Sequence, residues 1–295
     1  MRCIVLFYSF CLHLRLIDSR RSGLPNKLRI MGGRDANETE YPYIVRLQFQ
    51  LHSCTASVLD PTWTLTSAHC FVIKSIEMLP SSITLKPVIK YDNSIVSNVL
   101  YSVIHPGYRL NFHDLHNDIA LIKHEPIILK RYARVSGLDY LTMFGQEVTL
   151  TGYGITSRTI KINKTLDINI ASDATSLQMP LQLLDAIVVP CDNNDIMFIK
   201  LGMCLSRRCG RSSTLCLGDS GGPVLHPSGV VGINSLGSKE GIHICELGDA
   251  YPFYDPAFIT PTSPYIDWIS STVKNAKPIN MSQMRVGKTK RGKKA

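Results

Sequence analysis

The sequence predicts an all-β protein closed by a single C-terminal helix. Short apolar runs recur along the chain, turn residues separate them, and no regular amphipathic helical period lies between Tyr43 and Ser235. In chain order, "IVRLQFQL" from Ile44, "IVSNVLYSVIH" from Ile95, "DIALIK" from Asp118, "EVTLTGYG" from Glu147 and "GVVGINS" from Gly229 read as strands. The run "WTLTSAHC" from Trp63 begins as a strand and ends in a histidine and a cysteine. The terminal stretch "PYIDWISSTVKNA", Pro264 to Ala276, reads as a helix with proline near its start. Pro261 and Pro264 should cut strand pairing short just before it. These strands suit a sandwich or a barrel, and their number allows two antiparallel halves.

Composition points to a compartment and excludes several classes. A chain of 295 residues with 44% hydrophobic content can bury a sizeable core and is not generally disordered. Met1-Arg2 followed by the apolar run Cys3 to Leu14 reads as a secretory signal, with residues 1–18 as the leader. That run is too short to span a bilayer, and no other segment is a candidate. The nine cysteines fit an oxidising, extracellular compartment. Cys3 and Cys11 would leave with the leader, and the odd number that remains leaves one thiol without an intrachain partner. Sequons at Asn37, Asn163 and Asn280 are compatible with export.

The net charge is +9, and the segment from Lys274 onward carries Lys274, Lys277, Arg285, Lys288, Lys290, Arg291, Lys293 and Lys294 with no acid. Residues 277–295 therefore read as a disordered basic tail, with polyanions as candidate partners. No aromatic residue interleaves these charges, so the tail is not a stacking platform for single-stranded nucleic acid. Cys204, Cys209 and Cys216 lack the paired spacing of a zinc site, and neither a metal nor a cofactor is expected.

The stretch "CLGDSGGP", Cys216 to Pro223, sets Ser220 between an acid and two glycines. Glycine admits backbone conformations closed to other residues, so main-chain amides can converge there into an anion site beside a nucleophile. A serine hydroxyl is weak at neutral pH and needs a base, which needs an orienting group in turn. Of the histidines, His69 in "LTSAHC" stands out, because a half-cystine beside it would fix its backbone. Asp118 in "HNDIALIK" precedes an apolar stretch fit for burial, and a buried acid is retained only with a partner. The neighbouring Asp114 lacks that context.

Together "LTSAHC", "NDIAL" and "GDSGGP", in the order His, Asp, Ser, resemble the signature segments of the chymotrypsin-like serine proteases. "RIMGG", "TGYG", "GINSLG" and "YIDWI" extend the likeness over roughly Ile30 to Lys274. The resemblance implies two antiparallel β-barrels and a peptidase domain over residues 30–276. It makes Ser220 the nucleophile, His69 the general base and then acid, Asp118 the group that orients the imidazole, and the amides of Gly218 and Ser220 the oxyanion hole. It further implies a zymogen with residues 19–29 as propeptide. Cleavage after Arg29 by another protease would free Ile30, whose ammonium would pair with Asp219. Met31 stands where the family usually has valine. The same likeness suggests disulfides Cys54–Cys70, Cys191–Cys204 and Cys216–Cys245, leaving Cys209 over.

By this resemblance Thr214 is the floor of the primary specificity pocket, and Gly237 and Ala257 are its walls. The lack of an acid at Thr214 argues against cleavage after Lys or Arg and for apolar or aromatic residues, with elastase-like preference as the alternative. Leu236 replaces the family's usual tryptophan, and Ser235 is expected to hydrogen-bond near Asp118. Expected partners are protein or peptide substrates, the activating protease and protein inhibitors. Two other classes stand beside the enzyme: a catalytically inactive protease homologue, and a polyanion-binding effector that acts through the basic tail.

Overall fold

A computed structural model describes residues 33–37, 39–49, 52–73, 76–77, 82–85, 95–110, 115–154, 180–191, 199–207, 215–236 and 257–275. The leader, the propeptide, Arg29, Ile30, Asp114, Cys209, Thr214, Gly237, Cys245 and the tail lie outside these residues.

The first half is an antiparallel sheet of seven strands. They are β1 (Ile44–Gln48), β2 (Ser53–Asp60), β3 (Trp63–Thr66), β4 (Ser82–Leu85), β5 (Ile95–Ser97), β6 (Val99–Ile104) and β7 (Ala120–His124). Their order across the sheet is β5-β4-β1-β2-β3-β7-β6. The β2–β3 connection is tight because Asp60 Oδ1 accepts from the Thr62 amide (2.7 Å) and hydroxyl (3.2 Å), an Asx-type turn. The run "IVSNVLYSVIH" breaks at Asn98 into two strands rather than one.

The run Ile119–Ile122 leading into and through the first part of β7 shows why it is apolar throughout rather than alternating. Ala120 and Ile122 face the barrel core with Val45, Leu47, Ala56 and Val58, while Leu121 packs on the other face with Trp63, Leu65 and Ile119. A strand buried on both faces has no solvent side to mark with polar residues.

The second half closes on itself. Strands β8 (Glu147–Gly152), β9 (Gln182–Val189), β10 (Met203–Arg207), β11 (Pro223–His226), β12 (Gly229–Leu236) and β13 (Ala257–Pro261) run β9-β8-β11-β12-β13-β10. Antiparallel pairing of β9 with β10, Ala186 opposite Arg207 through Val189 opposite Cys204, completes a six-stranded barrel. Leu150, Leu184, Val188, Met203, Val224, Val231 and Ile259 fill it. Full closure removes the free edges that an open sheet exposes. This is the mainly β architecture expected, and among the described residues its single α-helix lies at the end.

Two apolar clusters join the halves. Ile44, Ala133, Tyr153, Leu183, Leu225 and Val230 form one. Trp63, Leu65, Leu121, Ile233, Tyr265 and Ile269 form the other, so it draws on both sheets and the terminal helix. The helix, α1 (Ile266–Asn275), starts later than the sequence pattern suggested, because Pro264 lies in a 3-10 turn, Ser263–Tyr265, that precedes it. β13 ends at Pro261, as a residue without an amide hydrogen requires. Asp267 in the first turn and Lys274 in the last complement the helix dipole.

Trp63 is the largest wholly buried side chain of the second cluster. It meets Tyr101 edge-on at 5.9 Å and carries Lys123 Nζ 4.9 Å from its ring centre. Trp63→Ala is expected to lower unfolding free energy by about 3–5 kcal/mol, read from urea denaturation with an unchanged m-value.

Candidate active site

His69 sits on a 3-10 turn, Ala68–Phe71, that follows β3 directly. The Cys54–Cys70 disulfide ties this turn to β2. His52 adds a brace: its Nε2 donates to the Cys70 carbonyl (2.9 Å), and its ring stacks on Phe49 at 4.3 Å. The imidazole is thus held by a covalent link and a hydrogen bond at its neighbouring residue.

Asp118 precedes β7 and is 1% exposed. Its Oδ1 accepts from the His69 amide (2.8 Å), and its Oδ2 accepts from His69 Nδ1 (2.7 Å) and from Ser235 Oγ (2.5 Å). With Nδ1 donating to Asp118, Nε2 is the nitrogen left to accept a proton. Burial opposes a charged imidazole, but the Asp118 charge and hydrogen bond outweigh it and raise the His69 pKa above that of a free histidine. Burial likewise would raise the Asp118 carboxyl. The His69 charge and the hydrogen bonds from His69 and Ser235 reverse that, so it lies below the ordinary carboxylate range.

Asn117 aims Asp118. It adopts the left-handed conformation, φ 50°, which asparagine tolerates better than most residues. Its Nδ2 donates to the Gly107 carbonyl (2.7 Å), and its Oδ1 accepts from the Tyr265 hydroxyl (3.0 Å).

Ser220 belongs to the tight turn that leads into β11. Gly218 and Gly221 both have positive φ, +98° and +81°. A Cβ on Gly221 would lie 2.0 Å from Thr66 Oγ1 and 2.4 Å from the Thr55 carbonyl, so a side chain is excluded on sterics as well as torsion. The Ser220 carbonyl accepts from the Thr55 amide (2.8 Å), and Thr55 is the residue after Cys54. Serine turn and histidine turn are therefore fastened to the same stretch of β2.

Asp219 points inward, not toward solvent, with 0% exposure. Its Oδ1 accepts from the Gly154 amide (2.7 Å) and its Oδ2 from the Cys216 amide (2.9 Å). Desolvation by burial dominates and pushes its pKa up to about 7, against the lowering effect of those amides and of the Arg46 charge. Arg46, 3% exposed in β1, donates from Nη2 to Ser53 Oγ (2.9 Å). Asn234 Nδ2 donates to the Asp219 and Thr151 carbonyls (3.0 and 2.9 Å).

The disulfides Cys54–Cys70 and Cys191–Cys204 form as expected, and Cys216 is also disulfide-bonded. Ala257 opens β13, opposite Leu205, and packs against the second core. Ser235 reaches Asp118 as anticipated. Arg46, Ser53, Thr55, Asn117 and Asn234 were not singled out from the sequence, where they read as ordinary strand or turn residues. Among the described residues no three His, Cys, Asp or Glu side chains are grouped to hold a metal ion, and no helix is long and apolar enough to cross a membrane.

The family model for trypsin matches residues 30–269. A trypsin of Phaedon cochleariae is 30% identical over 262 residues, covering 83% of this chain and 88% of that protein. Granzyme M of Rattus norvegicus is 27% identical over 267 residues, 85% and 91% of the two chains. Phenoloxidase-activating factor 3 of Holotrichia diomphalia is 25% identical over 295 residues, 88% and 76%. With its double-barrel fold and this match over most of its length, the chain belongs to the trypsin family of chymotrypsin-like serine proteases. The family implies protein substrates.

The His69–Asp118 pair has a consequence in solution. A raised histidine pKa contributes stability fully present below the unfolded value of about 6.5 and lost as pH rises through the folded value. By NMR, His69 should titrate above a free histidine, and in Asp118→Asn below it, because burial then acts without the opposing charge.

Proposed function

We propose that this chain is a secreted serine endopeptidase, made as a zymogen, that cleaves after apolar or aromatic residues. The observation that carries the reading is the buried Asp118 carboxylate on His69 Nδ1, with the His69 turn tied through Cys54–Cys70 to the same strand that holds the Gly218–Ser220 turn.

In this mechanism His69 Nε2 takes the proton of Ser220 Oγ as the oxygen bonds to the substrate carbonyl carbon. The carbonyl electrons move onto its oxygen, which the amides of Gly218 and Ser220 stabilise, about 3 kcal/mol for each donor. Collapse of the tetrahedral species breaks the C–N bond, and His69 returns its proton to the leaving amine. Water then attacks the acyl-enzyme by the same steps in reverse roles. Throughout, Asp118 holds the tautomer and stabilises the imidazolium without itself taking the proton.

Asp219 supports activation by cleavage between Arg29 and Ile30. Its buried carboxylate, with a pKa near 7, would be stabilised by an added ammonium, and the freed Ile30 would supply one. In the uncut chain a raised carboxyl pKa penalises the ionised form. Stability contributed by Asp219 is complete below its unfolded pKa of about 3.9 and lost as pH rises toward 7. Thermal unfolding of the Ser220→Ala chain should show this loss before cleavage and a weaker one after it.

Thr214, Gly237 and Ala257 are proposed as the pocket, and the exposed Leu217 and Leu236 beside the reactive turn suit an apolar substrate. The direct test treats the secreted protein with trypsin, sequences the new N-terminus and assays peptides ending in Phe, Leu, Ala or Arg. An Ile30 terminus with hydrolysis after Phe or Leu is expected. Ser220→Ala should lose about a million-fold in kcat, and Arg29→Gln should stay inert. Cleavage after Arg alone would overturn the specificity, and activity retained in Ser220→Ala the mechanism.

A further inference from the structure

We propose that Thr55, on the opposite half of the molecule, is a positioning residue that grips the oxyanion turn from behind through its hydroxyl. The inference rests on the peptidase reading and adds to it a side chain that the signature segments do not contain.

Thr55 lies in β2, 0% exposed. Its Oγ1 donates to the Gly218 carbonyl (2.8 Å) and accepts from the Tyr153 amide (3.0 Å). Its amide donates to the Ser220 carbonyl (2.8 Å), and its own carbonyl accepts from Thr66 Oγ1 (2.9 Å). One residue therefore pins the carbonyls on either side of Asp219. The Ser220 amide lies between these pinned points, and the Gly218 amide is joined to the first only through the φ and ψ torsions of Gly218.

That pair of torsions is the weak place in the turn. Gly218 has φ +98° and no Cβ, so little but hydrogen bonding restrains rotation about it. The peptide that follows it is otherwise held by the Asp219 amide donating to the Cys216 carbonyl (3.0 Å). The Thr55 hydroxyl ties the same peptide to a strand fixed by Cys54–Cys70. Ser53, on the same face of β2, backs the turn from the side: a Cβ on Gly218 would lie 3.5 Å from its Oγ. Oxyanion donors act only when preorganised, and misplacement by about 1 Å can cost about 100-fold in rate.

Thr55→Val removes the hydroxyl and keeps both shape and the amide; Thr55→Ser keeps the hydroxyl. In the chain cut at Ile30, Thr55→Val should lower kcat by about 10- to 100-fold with KM unchanged. Amide exchange at Asp219, Gly221 and Gly222 should quicken while that at Val45 and Leu47 does not. Thr55→Ser should restore both. Wild-type kcat and exchange in Thr55→Val, an effect on KM alone, failure of serine to rescue, or faster exchange throughout β1 and β2 would overturn the proposal. If the cut wild-type chain hydrolyses no peptide, the peptidase reading fails separately, and the exchange comparison alone decides whether Thr55 grips the turn.

Discussion

The charge of Asp118 is kept inside the protein, and much of the site follows from how that is done. An ionised carboxylate removed from water is costly unless it is paired and hydrogen-bonded. Here three donors meet it: two from His69 and one from Ser235. The first two come from the first half of the molecule and the third from β12 of the second. Solvating this one group thus requires both halves to be present and in register. The apolar cluster around Trp63, Leu121 and Ile233, a few residues from the same groups in sequence, supplies the packing that keeps them there.

Asp219 meets the same problem with a different outcome. Two backbone amides and the more distant Arg46 charge do not compensate its burial, so its carboxyl is pushed toward neutrality where that of Asp118 is held ionised. Two buried acids, one with a cationic partner and one short of it, are thereby driven in opposite directions by their surroundings. The first suits a permanent electrostatic support. The second suits a site that gains its cation later, and the turn carrying Ser220 is built around it.

Much of this was legible in the sequence because the chemistry demands unusual residues. Gly218 and Gly221 adopt positive φ, Ser235 reaches Asp118, and the apolar run after Asp118 is buried on both faces. Each leaves a local mark on composition. What was not legible is held by contacts between distant residues of ordinary type. Thr55 reads as a strand threonine, yet its partner Gly218 lies 163 positions away. Arg46 falls within an apolar strand pattern and is buried beside Ser53, where periodicity alone gives no reason for a cation. Closure of the second barrel depends on β9 pairing with β10 as well as β8, which no strand count reveals. The late start of α1 reflects a 3-10 turn that accommodates Pro264, a choice between two local geometries that sequence pattern does not resolve.

Activation of one serine among many is the function proposed for the fold. Its most direct test is to expose the chain cut at Ile30 to a fluorophosphonate, which reacts with activated serines, and to map the adduct by mass spectrometry. Activation by the His69–Asp118 pair requires a single adduct on Ser220, lost in His69→Ala and slowed as pH falls through the His69 titration. No adduct on Ser220, or labelling that persists without His69, would contradict it.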